Sequence, residues 1–155
     1  MVELAWLDKP AQYMAPPAKF EAGTQPVAQV VASGVAANWM MDLGMENLAA
    51  HEHELVEHLM QIQDIDHVRI LGPTDTTDRI GTVAFEIDDV HPHDVGQFID
   101  SRGIAISVGH HCAQPIHRHF GVYASNRVSL GVYNTHEDID RLLEAVAEVY
   151  GFFHR

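Results

Sequence analysis

The chain has 155 residues, 46% of them hydrophobic and 20% charged, proportions that fit one globular domain able to bury a core. Its formal charge of −13 argues against nucleic acid and an anionic bilayer surface as partners, because no basic stripe exists to meet phosphates. No apolar run approaches the ~20 residues of a membrane span, the first residues lack signal-peptide order, and the one cysteine cannot form an internal disulfide, so the cytoplasm is the expected compartment.

Residues 1–24 carry Pro10, Pro16, Pro17 and Gly23 without a helical period, and read as extended connection or strand. A helix is predicted from Pro26, suited to a first turn, through Val27, Val30, Val31, Val35, Trp39 and Met40 to a stop at Gly44. It is apolar over much of its circumference, so it is expected to need a partner, another copy of the chain included. A second helix, about 45–65, places Leu48, Leu55, Leu59 and Ile62 on one stripe, with Glu52, Glu54 and Glu57 facing elsewhere. The period then changes to two. Segments 68–71 and 80–87 read as strands, the second alternating Val83, Phe85 and Ile87 with Thr82, Ala84 and Glu86. Pro92 opens a helix over 93–102 that stops at Gly103, and 104–108 forms a third strand. A fourth strand is read over 127–133, and Asn134-Thr135 cap a last helix striped by Ile139, Leu142, Leu143, Val146, Val149 and Tyr150. Together these predict an α+β fold: a largely antiparallel sheet with helices packed on one face.

The third strand delivers Gly109-His110-His111-Cys112-Ala113-Gln114-Pro115, which holds the only cysteine. Two adjacent imidazoles offer proton acceptors and, when protonated, positive charge, and either favours the thiolate that attacks electrophiles or ligates metals. A lone cysteine is most often a small buried hydrophobe, but a Gly-His-His run and a following proline make a poor core setting. Arg127 starts the fourth strand, and because neighbouring strands lie only ~5 Å apart the cysteine and the arginine are placed to share a substrate.

The Gly109–Pro115 run, Arg127-Val128-Ser129 and Tyr133-Asn134-Thr135 resemble the C-terminal part of SufS-type cysteine desulfurases, pyridoxal-phosphate enzymes of the class V aminotransferase fold. Phe20-Glu21-Ala22-Gly23-Thr24, the Ala49-Ala50-His51-Glu52 helix and His91-Pro92-His93-Asp94-Val95-Gly96 match in the same order. The resemblance implies that residues 1–44 are the end of a large cofactor-binding domain and 45–155 a small C-terminal domain with its long connecting helix. It implies Cys112 as the nucleophile that takes sulfur from L-cysteine as a persulfide while alanine leaves. A mobile loop would then carry that sulfur to an acceptor protein of iron–sulfur cluster assembly. Arg127 and His111 would bind the substrate, Arg127 by a two-pronged pairing with its carboxylate. Gly23 and Thr24 would donate to the phosphate of pyridoxal 5′-phosphate, in this family that of the other subunit of a homodimer.

Two departures qualify this. Lys9 and Lys19 are the only lysines, and neither lies in the Ser-His-Lys type motif that carries the cofactor, so this chain alone is expected to bind no cofactor and turn over no cysteine. Ser107 stands five residues before the cysteine, where the family often has arginine, which removes a positive charge near the thiol. The competing reading is a non-catalytic, sulfur-accepting or metal-binding module. Consecutive His110, His111 and Cys112 are poorly disposed for one tetrahedral ion, so no metal site is assigned. His51 and His53 face apart on a helix, and His91 and His93 read as capping groups.

Overall fold

A computed structural model describes all residues, Met1–Arg155. The chain divides into two compact units, Met1–Gly44 and Met45–Arg155. In the first, β1 (Val2–Leu4) pairs antiparallel with β2 (Gln12–Tyr13), a short 3-10 turn spans Ala18–Phe20, and α1 covers Val27–Leu43. The proline-rich start therefore forms a small two-stranded ribbon, as extended reading of it anticipated. Every residue of α1 is solvent-exposed, with Val30, Val31, Val35 and Trp39 all more than half exposed.

The second unit holds α2 (Met45–Leu59), which tightens into a 3-10 turn over Met60–Asp64, then β3 (Val68–Ile70), β4 (Thr82–Ile87), α3 (Pro92–Ser101), β5 (Ser107–Gly109), α4 (Gln114–Phe120), β6 (Ser125–Ser129) and α5 (His136–Phe153). Its four strands lie in the order β3-β4-β6-β5, every pair antiparallel. Val83, Phe85 and Ile87 of β4 and Val128 of β6 point to one face, where Leu55, Val56 and Leu59 of α2, Val95 and Ile99 of α3, and Ile139, Leu142, Val146 and Val149 of α5 close over them. All of these are buried, and the whole core belongs to this unit.

Local chemistry explains the boundaries. His91 is the N-cap of α3 and its ring Nδ1 accepts from the backbone N–H of His93, with Pro92 in the first turn. Thr135 opens α5 in a reciprocal capping box with Asp138. Those bonds from Thr135, with one from Asn134, stabilise the Asp138 carboxylate and hold its pKa below the ordinary value. Gly96 lets α3 lie against β5, since a Cβ there would stand 2.4 Å from Val108 Cγ2.

Three placements differ from the sequence reading. The third strand is Ser107–Gly109, not 104–108, and the fourth is Ser125–Ser129, not 127–133, so Arg127 sits mid-strand. The alternation Val128-Leu130-Val132 misleads because the chain turns at Gly131–Asn134, where Gly131 N–H donates to Asn134 Oδ1 at 2.8 Å. Helix α4 carried no apolar period and was not foreseen.

Candidate functional site

A strand's side chains alternate between faces, so Ala84 and Arg127 project opposite to Phe85 and Val128, onto the face that α2, α3 and α5 leave free. There Leu71, Ala84, His111, Ala113, Ile116, His117, Phe120, Ser125 and Arg127 line a cavity of about 210 Å3. Helix α4 forms one wall through Ile116, His117 and Phe120.

Strand pairing builds the site. Ser107 of β5 lies opposite Arg127 of β6, and Gly109 opposite Ser125. The chain leaves β5 at Gly109 and reverses at once: Ala113 N–H donates to the His110 carbonyl at 2.8 Å. Both central residues of that turn, His111 and Cys112, have positive φ, at 50° and 57°. Such a conformation costs a non-glycine residue about 1–3 kcal/mol and persists only where surrounding structure enforces it. The turn holds Cys112 exposed at its tip while the residues on either side, His111 and Ala113, face the cavity.

Arg127 enters the cavity without a carboxylate. Its bond from a terminal nitrogen to Ser107 Oγ is 3.4 Å long, and its Nε is buried with no partner. A partly buried guanidinium in this state is a strong potential binder of an anion, best a carboxylate that accepts two parallel bonds. Ser107, at the position of the missing arginine, thus serves as the neighbour of Arg127 across the strand pair.

His111 Nε2 lies 3.2 Å from both the carbonyl and the hydroxyl of Ser125. Burial first, then the positive charge of Arg127, pushes the His111 pKa below its ordinary value, against a smaller opposite pull from the Ser125 carbonyl. A histidine so placed stays neutral near neutral pH. Of the two ways in which an imidazole favours a thiolate, this one provides proton acceptance rather than positive charge.

Of the residues predicted from sequence, His111 and Arg127 line this cavity and Cys112 stands exposed between the lining residues His111 and Ala113, while Gly23 and Thr24 belong to the first unit. Gly23 has φ 76° and open space where a Cβ would stand. Both residues are solvent-exposed, with a backbone N–H and a hydroxyl of the kind a phosphate accepts from. A pyridoxal ring also needs a lysine to carry it. Lys9 Nζ rests 4.0 Å from the centroid of Trp6 and Lys19 Nζ 5.5 Å from that of Phe20, and residues 45–155 contain no lysine. The residues of this chain therefore do not make a complete pyridoxal phosphate site. No three His, Cys, Asp or Glu side chains are grouped to hold a metal ion.

Sequence reasoning missed His117 and Ser125. Neither was assigned a role, yet His117 is 5% exposed and Ser125 is fully buried. The available signal was Pro115, which opens α4 and carries His117 back over the sheet.

The aminotransferase class-V family profile matches residues 1–142, and the chain belongs to that family. Within it the similar proteins are cysteine desulfurases. The chain is 43% identical over 142 residues to a protein of Streptomyces coelicolor described as "Probable cysteine desulfurase", covering 91% of this chain and 34% of the relative. A "Probable cysteine desulfurase 2" of Mycobacterium leprae is 42% identical over 156 residues, covering 100% of this chain and 37% of the relative. Among solved structures, the cysteine desulfurase of Thermococcus onnurineus NA1 superposes with a TM-score of 0.79 at 30% identity, over 97% of this chain and 38% of that one. The Escherichia coli cysteine desulfurase CsdA gives 0.77 at 28% identity, over 98% and 37%. The chain thus spans a little over a third of the length of the proteins it matches. No helix is long and apolar enough to cross a membrane.

Proposed function

We propose that this chain supplies the sulfur-accepting portion of a cysteine desulfurase of the SufS type, working in the cytoplasm to provide sulfur for iron–sulfur cluster assembly. Cys112 is the acceptor, Arg127 holds the substrate carboxylate, and His111 lies beside the substrate. The observation that carries this reading is an exposed thiol at the rim of a cavity that contains an unpaired, partly buried guanidinium. In the reaction, a bond forms between the sulfur of Cys112 and that of L-cysteine as the substrate's Cβ–S bond breaks. The electron pair of the broken bond stays on Cβ, which takes a proton, so L-alanine and a Cys112 persulfide result without an outside oxidant. Pyridoxal 5′-phosphate, held by a cofactor-binding portion that this chain's residues do not supply, would provide the electron sink. Gly23 and Thr24 are proposed to donate to its phosphate, in a homodimer across the subunit boundary. A sulfur-acceptor protein then relieves Cys112 of its load.

Residues 45–155 lack a lysine, which favours a second reading: a non-catalytic module that accepts sulfur from elsewhere. Metal binding at His110, His111 and Cys112 has no such support, since the ring of His111 is committed to Ser125. A chimera separates the readings. The chain is joined to the cofactor-binding portion of the Streptomyces coelicolor relative, and cofactor absorbance reports that the chimera has assembled. L-Cysteine should then yield alanine, and Cys112→Ser should abolish that yield, whereas the chain alone with added pyridoxal phosphate should yield none. A cofactor-loaded chimera that forms no alanine overturns the catalytic reading.

A further inference from the structure

His117 has no part in the chemistry above, yet α4 buries it beneath the Cys112 turn. Its Nδ1 lies 3.1 Å from the Ala113 carbonyl, an atom that can only accept, so Nδ1 carries a proton. In the neutral ring Nε2 is then an acceptor, and it takes the hydroxyl proton of Ser125 at 3.0 Å. Ser125 Oγ, already donating to His117, can only accept from His111 Nε2 at 3.2 Å, and the Ser125 carbonyl accepts from the same nitrogen. The carbonyl can only accept, and a hydroxyl free of His117 could turn to donate to the same nitrogen, an arrangement that His117 removes. His111 must carry its proton on Nε2, which leaves its lone pair on Nδ1, an atom with no hydrogen-bond partner.

We propose that His117 is a positioning residue: by taking the Ser125 hydroxyl proton it keeps that oxygen an acceptor for His111 and so reinforces the Nε2–H tautomer, and through Ala113 it pins the opposite flank of the Cys112 turn. The relay explains why two consecutive non-glycine residues keep positive φ, because both flanks of the turn are tied to buried groups. It replaces a freely mobile loop with a clamped one. His110 packs edge-on against both His117 and Tyr123, at centroid distances of 5.7 and 5.1 Å, and closes the remaining side. The charged and titratable groups facing His111 are Arg127, His117 and His110, and all three lower its pKa, after burial, which is the largest cause. This deepens the sulfur-acceptor reading of Cys112 and rests on it.

Long-range nitrogen–proton correlation NMR on the full chain at neutral pH reads the tautomers directly. The expected result is His111 protonated on Nε2 and His117 on Nδ1. His117→Phe keeps the bulk and removes both polar atoms. It should convert His111 to a tautomer mixture and move the low-pH inflection of Cys112 alkylation upward, toward the ordinary histidine value near 6.5. His117→Gln, which keeps a donor and an acceptor, should restore part of both, whereas a purely structural role for His117 would change alkylation rate and leave the inflection in place. Wild-type His117 protonated on Nε2, alone or together with Nδ1, overturns the relay, and this holds even if His117→Phe fails to fold. A folded His117→Phe with an unchanged His111 tautomer and inflection overturns it as well. None of these readouts requires sulfur transfer, so a Cys112 that takes up no sulfur while the tautomers are as expected sinks the desulfurase reading and leaves the clamp standing.

Discussion

At Arg127 and His111 the site's electrostatics reduce to one guanidinium without an anion and one imidazole that it helps to keep uncharged. Because the folded chain depresses the His111 pKa below the 6.5 of an unstructured histidine, the sign of its effect on stability is fixed. Above 6.5 both states are neutral at this ring and its contribution is fully present. As pH falls below that value the unfolded chain takes up a proton that the folded chain refuses, so stability declines until the folded pKa is also passed. Arg127→Ala removes the second cause of the depression, so it should raise the His111 pKa toward 6.5 and flatten that decline. An NMR titration of the His111 ring in wild type and variant checks this, and a wild-type ring that titrates at or above 6.5 contradicts it. Such a proton ledger was beyond sequence reading: Gly109-His110-His111-Cys112 announced the thiol and its imidazoles, but the sign of the imidazole's role depends on the burial of one ring and its distance to Arg127.

Elements with a clear period were legible, and those without one were not. The stripes of α2 and α5 are regular: of the residues their spacing nominated, Leu55, Leu59, Ile139, Leu142, Val146 and Val149 are buried, and Leu48, Leu143 and Tyr150 are half-buried. Strand β4 alternates strictly and was read to within two residues. Strand β6 was misplaced because its first two residues, Ser125 and Asn126, are polar yet fully buried, while the apolar alternation continues past its true end at Ser129. Helix α4 is seven residues of which only Ile116 and Phe120 are apolar, too few to show a stripe, and its position over the sheet makes it a wall of the cavity. Tertiary demands override local pattern at the two elements that frame the site. The α3–β5 contact gives a direct test of packing at this scale. Gly96→Ala places a methyl against Val108, on the strand that leads into the Cys112 turn. It should destabilise the second unit by about 1–3 kcal/mol, as overpacking of a tight contact does. Chemical denaturation of the variant measures this, and an unchanged midpoint contradicts the close approach.

On the scale of the whole chain, two units divide the labour unequally. All of the core lies between Leu55 and Val149, while the first unit's one long helix exposes valines, methionines and a tryptophan to solvent. A helix apolar all round belongs in an interior, and apolar area this continuous seldom stays uncovered. The chain by itself should therefore self-associate through residues 27–43, and light scattering should show an assembly that dissociates when Val31 and Val35 are replaced by Glu. A strictly monomeric wild type contradicts this. The most direct test of the function, however, concerns one sulfur atom. Purified chain is exposed to a low-molecular-weight persulfide donor and analysed intact and after digestion by mass spectrometry. The gain of one sulfur atom at Cys112, released again by a thiol reductant and absent from Cys112→Ser, is the predicted result. A Cys112 that stays unmodified, in a chain whose fold is intact by circular dichroism, would contradict its role as the sulfur acceptor.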